Sequence, residues 1–294
     1  MKENFKYSLD KSNRKFICPN CNKRTFVKFV DNETNEYLNI VNGRCDRESK
    51  CSYFKKPSNN FMAINKNFIT DVIQHSYHNE IVLKQFSNYN QQSNFISYLL
   101  KLFNPKVVLQ AVNMYHIGTT NYWKNATVFW QIDLKNVIRG GKIMLYNSDT
   151  GKRIKTPFNH VSWIHKQLKK NNFVLQQCLF GMHNINNISR YDTICIVESE
   201  KTAIIMSIVI PDFLWLATGS QSGFKEEMLQ PIRDYNIIAY PDKTEFDRWT
   251  KIANRLNDKG FNIQCSSILE RVKLEKGDDL IDFLLKSNLF SSEN

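Results

Sequence analysis

Two short apolar runs in the C-terminal third of the chain each stop on a carboxylate. Thr193-Ile-Cys-Ile-Val runs into Glu198, and some forty residues later Asn236-Ile-Ile-Ala-Tyr-Pro runs into Asp242. An apolar run of this length bounded by polar residues has the pattern of a strand buried on both faces, as in a parallel α/β sheet. A helical stretch from about Glu200 to Val209, a strand at Phe213-Leu-Trp-Leu-Ala-Thr, a helix ending near Leu256 and a strand at Asn262-Ile-Gln-Cys complete the alternation. The handedness of such crossovers brings Glu198, Gly219 and Asp242 to one edge of one sheet, where α/β folds bind ligands. Two acids there are suited to a divalent cation and, through it, to phosphate oxygens. Gly219 and Gly223 permit a turn whose backbone N–H groups approach phosphate. No GxxxxGK[ST] loop occurs, which excludes a P-loop motor.

A second spacing is as specific. Cys18-Pro-Asn-Cys21 and the wider Cys45-(five residues)-Cys51 pair are suited to one tetrahedral zinc. Thr25-Phe-Val-Lys-Phe-Val alternates like a strand between them, and Asp31-Asn-Glu-Thr-Asn supplies a turn. The expectation is a zinc ribbon, a piece too small for a core of its own, with structural Zn²⁺ on Cys18, Cys21, Cys45 and Cys51. A disulfide, a redox dithiol or buried free thiols are the competing readings. Cys178, Cys195 and Cys265 sit in apolar contexts and read as core.

Charge points to the partner. Forty Lys and Arg against 28 Asp and Glu give +12, a surplus that favours a polyanion. Residues 1–60 hold thirteen basic and seven acidic side chains. Phe26, Phe29, Tyr53 and Phe54 interleave there with Lys23, Arg24, Lys28, Lys55 and Lys56, a combination suited to single-stranded nucleic acid. The competing reading makes the rings a thin core and the charges solubilising. No stretch of eighteen apolar residues and no signal-like N-terminus occur, so a cytoplasmic protein without membrane contact is expected.

Residues 59–118 carry helical periodicity, with Phe95, Tyr98-Leu-Leu and Leu102-Phe on one helix and Asn104-Pro105 opening the next. His75 and His78, three apart, read as helical residues in surface or packing roles. Ala126-Thr-Val-Phe-Trp-Gln-Ile-Asp and Ile138-Arg-Gly-Gly-Lys-Ile-Met-Leu-Tyr read as a hairpin. Arg139, Lys142, Lys152, Arg153 and Lys155 follow in a short stretch and would grip a template backbone or a triphosphate, unless they only guard strand edges.

Taken together, strand-Glu198, the Gly219 loop, Pro241-Asp242 and Gly277-Asp-Asp-Leu-Ile-Asp-Phe-Leu resemble a Toprim domain, the catalytic fold of bacterial primases, type IA topoisomerases and certain nucleases. A zinc ribbon, a β-rich segment ending in Cys178-Leu-Phe-Gly181 and then Toprim is the order of bacterial replicative primases. Gly43-Arg-Cys-Asp-Arg-Glu, Phe129-Trp-Gln-Ile-Asp and Glu198-Ser-Glu-Lys-Thr-Ala are phrases shared with uncharacterised primase-like Toprim proteins of mobile elements. The fold class expected is therefore α/β (α+β overall): a tail to residue 13, a ribbon over 14–58, a helical linker region over 59–118, a β-rich subdomain over 119–190, and Toprim with a central parallel sheet over 191–290.

The resemblance implies that Glu198 is the general acid/base or a metal ligand and that Asp242 is the first acid of an Asp-x-Asp pair binding Mg²⁺ or Mn²⁺. The second position is Thr244, whose hydroxyl can ligate a hard cation but contributes no charge; Glu245 or Asp247 would substitute, with helical geometry setting Glu245 on the Asp242 side and Asp247 elsewhere. Asp278, Asp279 and Asp282 add acidic character, with Asp278 read as a helix N-cap. Lys201 and Gly219 join Arg139, Lys142, Arg153 and Lys155 as phosphate-binding positions. The implied activity is primer synthesis by nucleotidyl transfer on a single-stranded DNA template, from nucleoside triphosphates and beside a separate replicative helicase. A catalytically weak or inactive DNA-binding accessory protein, which Thr244 favours, and a metal-dependent nuclease are the other readings.

Overall fold

A computed structural model describes residues 6–12, 14–34, 36–47, 50–57, 74–87, 92–190 and 192–287. The parts of the expected tail, helical linker and last domain that fall on residues 1–5, 58–73 and 288–290 lie outside the described residues. The chain divides into two compact units, 1–72 and 73–294.

The first unit is a small antiparallel sheet of β1 (Tyr7–Leu9), β2 (Phe16–Ile17), β3 (Arg24–Asp31), β4 (Gly43–Cys45) and β5 (Phe54–Lys55), with β3 pairing β1, β2 and β4. Phe26 is fully buried with Cys18 and Cys45, and Phe16, Tyr53 and the other two cysteines close over them. That handful of residues is too small a core to hold a fold alone, which leaves the four thiols as its anchor.

In the second unit, α1 (Ile81–Phe86), α2 (Asn94–Leu102) and α3 (Pro105–Met114) lead into an antiparallel sheet of β6 (Gly118–Thr120), β7 (Ala126–Ile132), β8 (Ile138–Met144) and β9 (Val161–Trp163), followed by a one-turn α4 (Ile164–Gln167). Ser93 caps α2, and Asn104 with Pro105 at the first turn caps α3, as their sequence signals require. Every residue of β7 is buried. Ala126, Val128, Trp130 and Ile132 pack on Ile138, Ile143 and Ile164, while Phe129 faces Phe95, Tyr146 and Phe180. Gly141 keeps this packing close, since a Cβ there would lie 2.6 Å from the Trp130 ring. His75 and His78 are not helical. His78 N–H pairs with the Ile138 carbonyl at 2.9 Å in an isolated bridge, and its ring stacks on Phe173. Burial pushes the His78 imidazole down to about 4, so it packs as a neutral ring.

The remaining chain forms a parallel sheet of β10 (Thr193–Val197), β11 (Leu214–Ala217), β12 (Asn236–Ala239) and β13 (Asn262–Cys265) in the order β11-β10-β12-β13. Ile194 and Ile196 point to one core, with Trp249, Ala253 and Leu256 of α7 (Phe246–Asn257) and Met228 and Leu229 of α6 (Glu226–Leu229). Cys195 and Val197 point to the other, with Ala203 and Ile204 of α5 (Glu200–Val209) and Leu280 and Ile281 of α8 (Leu280–Lys286). Helices thus cover both faces, which is why the strands read as continuous apolar runs. The first crossover goes from β10 to β11 and the next element, β12, returns to the opposite side of β10. The strand order therefore reverses between β10 and β12, the position at whose carboxyl ends open α/β sheets bind ligands.

Candidate metal and phosphate site

Glu198 leaves β10 and Asp242 follows β12, so the two acids flank the reversal in strand order. Gly219, two residues past β11, adopts φ +73°, and its N–H donates to the Glu198 carbonyl at 2.8 Å. A side chain there would meet Glu200 Oε1 at 3.0 Å, which together with the left-handed backbone explains the glycine.

The loop carrying Asp242 is tied down on its far side. Lys243 Nζ donates to the carbonyls of Leu269, Glu270 and Val272 at 2.9–3.1 Å, and Lys243 N–H to the Asp278 carbonyl at 2.9 Å. Thr244, in the position where a second acid was sought, is an exposed turn residue at φ +80° whose N–H donates to Glu270 Oε1 at 2.7 Å. Glu245 accepts from Gln221 Nε2 on one oxygen and from Arg248 Nη1, at 3.3 Å, on the other. Asp247 is exposed.

The N-cap of α8 is Asp279, not the expected Asp278. Asp279 Oδ1 accepts from the N–H groups of Ile281 and Asp282, Asp282 returns a bond to the Asp279 N–H, and Asp279 Oδ2 accepts from Thr202 on α5. Gly277 sits at φ +82°, and Asp278 Oδ2 accepts instead from Lys286 Nζ at 2.6 Å and from the Glu275 N–H at 2.9 Å. The capping box brings Asp279 and Asp282 toward Asp242. Burial pushes the Asp242 carboxyl up to about 9, and the charges of Asp279, Glu198, Asp282 and Glu245 add to the rise. Glu198 is raised as well, by burial and then by Glu245, with Lys142 and Arg248 partly offsetting them. Asp282 is raised by burial and by Asp279. A cluster of acids that disfavours its own ionisation to this degree has the donor chemistry of a cation site. Among the described residues only the four cysteines bring ligand atoms within 4.8 Å of one another. The acids therefore do not form a closed all-protein cage; Mg²⁺ needs none, since it keeps several waters and takes one or two carboxylates plus substrate phosphates.

The expected phosphate-binding cations divide into three groups. Lys142 is buried on β8, with Nζ 2.9 and 3.2 Å from the two Glu200 oxygens and 2.6 Å from the Gly219 carbonyl. Arg139 is the extra residue of a bulge in β8 and pairs with Asp133 at 2.7 Å. Lys152, Arg153 and Lys155 are exposed, and Lys201, at the start of α5, draws the Asp282 carboxyl downward. Glu200, fully buried, and Gln131, whose buried amide has no partner among the described residues and lies close to the Gly219 turn, were not singled out from the sequence. Both meet their neighbours only across the gap between two sheets, for which spacing offers no signal.

At the ribbon, Cys18 and Cys51 Sγ lie 3.7 Å apart and Cys21 and Cys45 Sγ 3.9 Å apart. A tetrahedral zinc with bonds of about 2.3 Å demands sulfur edges of about 3.8 Å, so the four residues fit the ion. Thr25 Oγ1 and Asn20 Nδ2 contact Cys45 and Cys51 Sγ at 3.2 and 3.4 Å and orient them. Without the ion, burial pushes the Cys18 thiol up to about 11, while the Lys23 N–H leads in drawing Cys21 down to about 6.

Comparison with known proteins follows the same division. The family model described as a domain of unknown function (DUF6371) matches residues 93–243, and that of a zinc beta-ribbon finger matches residues 5–66. No curated protein matches. Among solved structures, the catalytic core of an E. coli primase is similar at 13% identity, over 70% of this chain and 74% of that one, with TM-score 0.43. The primase fragment of the bacteriophage T7 primase-helicase protein is similar at 13% identity over 94% and 96%, with TM-score 0.44. The zinc-binding and RNA polymerase domains of the Aquifex aeolicus primase are similar at 13% over 98% and 81%, with TM-score 0.43.

Proposed function

The chain belongs to the DUF6371 family, whose description leaves function open, so its chemistry has to come from the site; we propose that it is a Toprim primase-like nucleotidyltransferase acting on single-stranded DNA. The observation that carries this reading is the placement of Glu198 and Asp242 on either side of the strand-order reversal, where burial first and then the charges of Asp279, Glu198 and Asp282 push the Asp242 carboxyl up to about 9. A divalent cation bound there would supply the charge that phosphate oxygens need during in-line transfer. Asp242 and Glu198 would hold it, and Glu245, already engaged by Gln221 and Arg248, would add negative charge nearby. Glu198, half-buried and raised above the usual carboxylate range, is suited to accept the proton of an attacking 3′-hydroxyl. Lys142 neutralises Glu200 beneath the Gly219 turn and sets that turn's position. The exposed Lys152, Arg153 and Lys155, with the partly buried Lys201, contact nucleotide or template phosphates, and the zinc ribbon binds the template strand with its exposed ring Phe54 and its lysines. Nucleoside triphosphates are the substrates and a separate helicase the partner that supplies unpaired template, in the cytoplasm.

Primer synthesis on single-stranded templates with Mg²⁺ or Mn²⁺ tests the proposal. Wild type makes labelled primers, while Glu198→Gln and Asp242→Asn lose at least about a hundredfold, the scale of one removed acid/base or charge-stabilising group. Thr244 favours an accessory protein as the second reading. Template binding without product from wild type establishes that reading, and template cleavage dependent on the same two acids establishes a nuclease.

A further inference from the structure

We propose that Tyr122, Trp123, Phe158 and His160 form a stacking platform for an unpaired base of a single-stranded nucleic acid, beside a strip of exposed cations. This rests on the nucleic-acid reading above and adds a subsite to it.

Four rings gather where the loop between β6 and β7 meets the chain entering β9. His160 is buried, and Phe158 stacks on it at 4.3 Å with 26° between the planes. Trp123 meets His160 edge-on at 5.1 Å, and Tyr122 meets Trp123 edge-on at 4.8 Å. The backbone is held beneath them: His160 N–H and Nδ1 both lie within hydrogen-bond reach of the Ile154 carbonyl, and the His160 carbonyl accepts from Leu145. Rings that served only as core would be covered. Phe158 is instead 53% exposed and Tyr122 43% exposed. Phe158 rests on His160 and meets Trp123 at 6.3 Å with 50° between the planes, and its exposed half is a fixed aromatic surface that loses little entropy when a base stacks on it.

The surrounding charge selects the ligand. Lys124 follows Trp123 directly, and Lys152, Arg153 and Lys155 flank the Ile154 carbonyl that holds His160; all four are exposed and none is paired with a carboxylate among the described residues. Asp149, the nearby acid in the same turn, is neutralised by Lys101. Unpaired cations followed by open rings suit a chain of phosphates carrying unpaired bases, and suit an apolar or acidic peptide less well, since neither satisfies both parts.

The test uses the full-length zinc-loaded chain, a labelled oligothymidine and an abasic strand of equal length and charge. Wild type holds the base-bearing strand about tenfold more tightly than the abasic one, in the range of a single stacked base. Phe158→Ala reduces that ratio about fivefold or more and leaves abasic binding unchanged, while Phe158→Tyr keeps the ratio. Replacing Lys152 and Lys155 by Ala weakens both strands alike and lowers the salt slope by about one per residue. The same pair of probes built on ribose shows whether a DNA or an RNA strand is held more tightly. Unaltered discrimination in Phe158→Ala overturns the platform alone. Wild type with no affinity for either strand overturns both the platform and the template reading.

Discussion

The buried Lys142–Glu200 pair makes a quantitative demand on the fold. Lys142 is 8% and Glu200 1% exposed, and Lys142 is the only described cation that reaches Glu200 in an ion pair. Replacing Lys142 by Met removes the charge but keeps most of the stem's volume. It strands a carboxylate out of water and takes the donor at 2.6 Å from the Gly219 carbonyl. Breaking a buried pair in this way costs about 3–5 kcal/mol, most of it from the unpaired partner. The double variant Lys142→Met/Glu200→Gln removes the stranded charge as well, so it should recover about 2 kcal/mol or more of that loss, the coupling expected for contacting residues. Urea unfolding followed by tryptophan emission reads the right unit, because all five tryptophans lie between residues 123 and 249. A Lys142→Met protein with the wild-type midpoint, or a double variant no more stable than the single, would refute the strut.

Other expectations follow from the two metal sites. Chelating zinc, or Cys51→Ser, should open residues 1–57 to proteolysis while tryptophan emission from the second unit stays native, since a structural zinc contributes on the order of 10 kcal/mol to a ribbon's fold. Because Asp242 is raised from 3.8 to about 9, the folded metal-free chain keeps a proton the unfolded chain has released; its stability should fall as pH rises between those values. A cation displaces that proton, so Mn²⁺ affinity should rise toward tenfold per pH unit up to about pH 9, a slope absent in Asp242→Asn, and calorimetric titrations at several pH values check it. Thr244→Asp places an acid at φ +80°, which aspartate tolerates better than a β-branched residue; unfolding should show a change under about 0.5 kcal/mol, and Mn²⁺ should bind at least about threefold more tightly.

The parallel sheet was legible because its strands are buried on both faces. Thr193–Val197 and Asn236–Ala239 appear as uninterrupted apolar runs, and crossover handedness then brings Glu198, Gly219 and Asp242 to one edge. The thiol quartet was legible from spacing alone. What escaped depends on contacts between distant segments. Lys142 and Glu200 are 58 positions apart on different layers, so a basic run that looked like a single grip separates into a buried strut, a bulge pair with Asp133 and an exposed strip. His78 follows a bridge to Ile138 instead of its local helical spacing. Asp279 replaces Asp278 as the cap, Asp278 being held by the Glu275 N–H and Lys286, and only the folded loop reveals that.

The acidic centre itself is tested most directly by counting Mn²⁺ ions on the zinc-loaded chain by electron paramagnetic resonance near pH 8. The arrangement predicts at least one ion on wild type, lost in Asp242→Asn and Glu198→Gln and weakened only about threefold in Glu245→Gln, whose carboxylate Gln221 and Arg248 already hold. Equal Mn²⁺ binding by wild type and Asp242→Asn would contradict it.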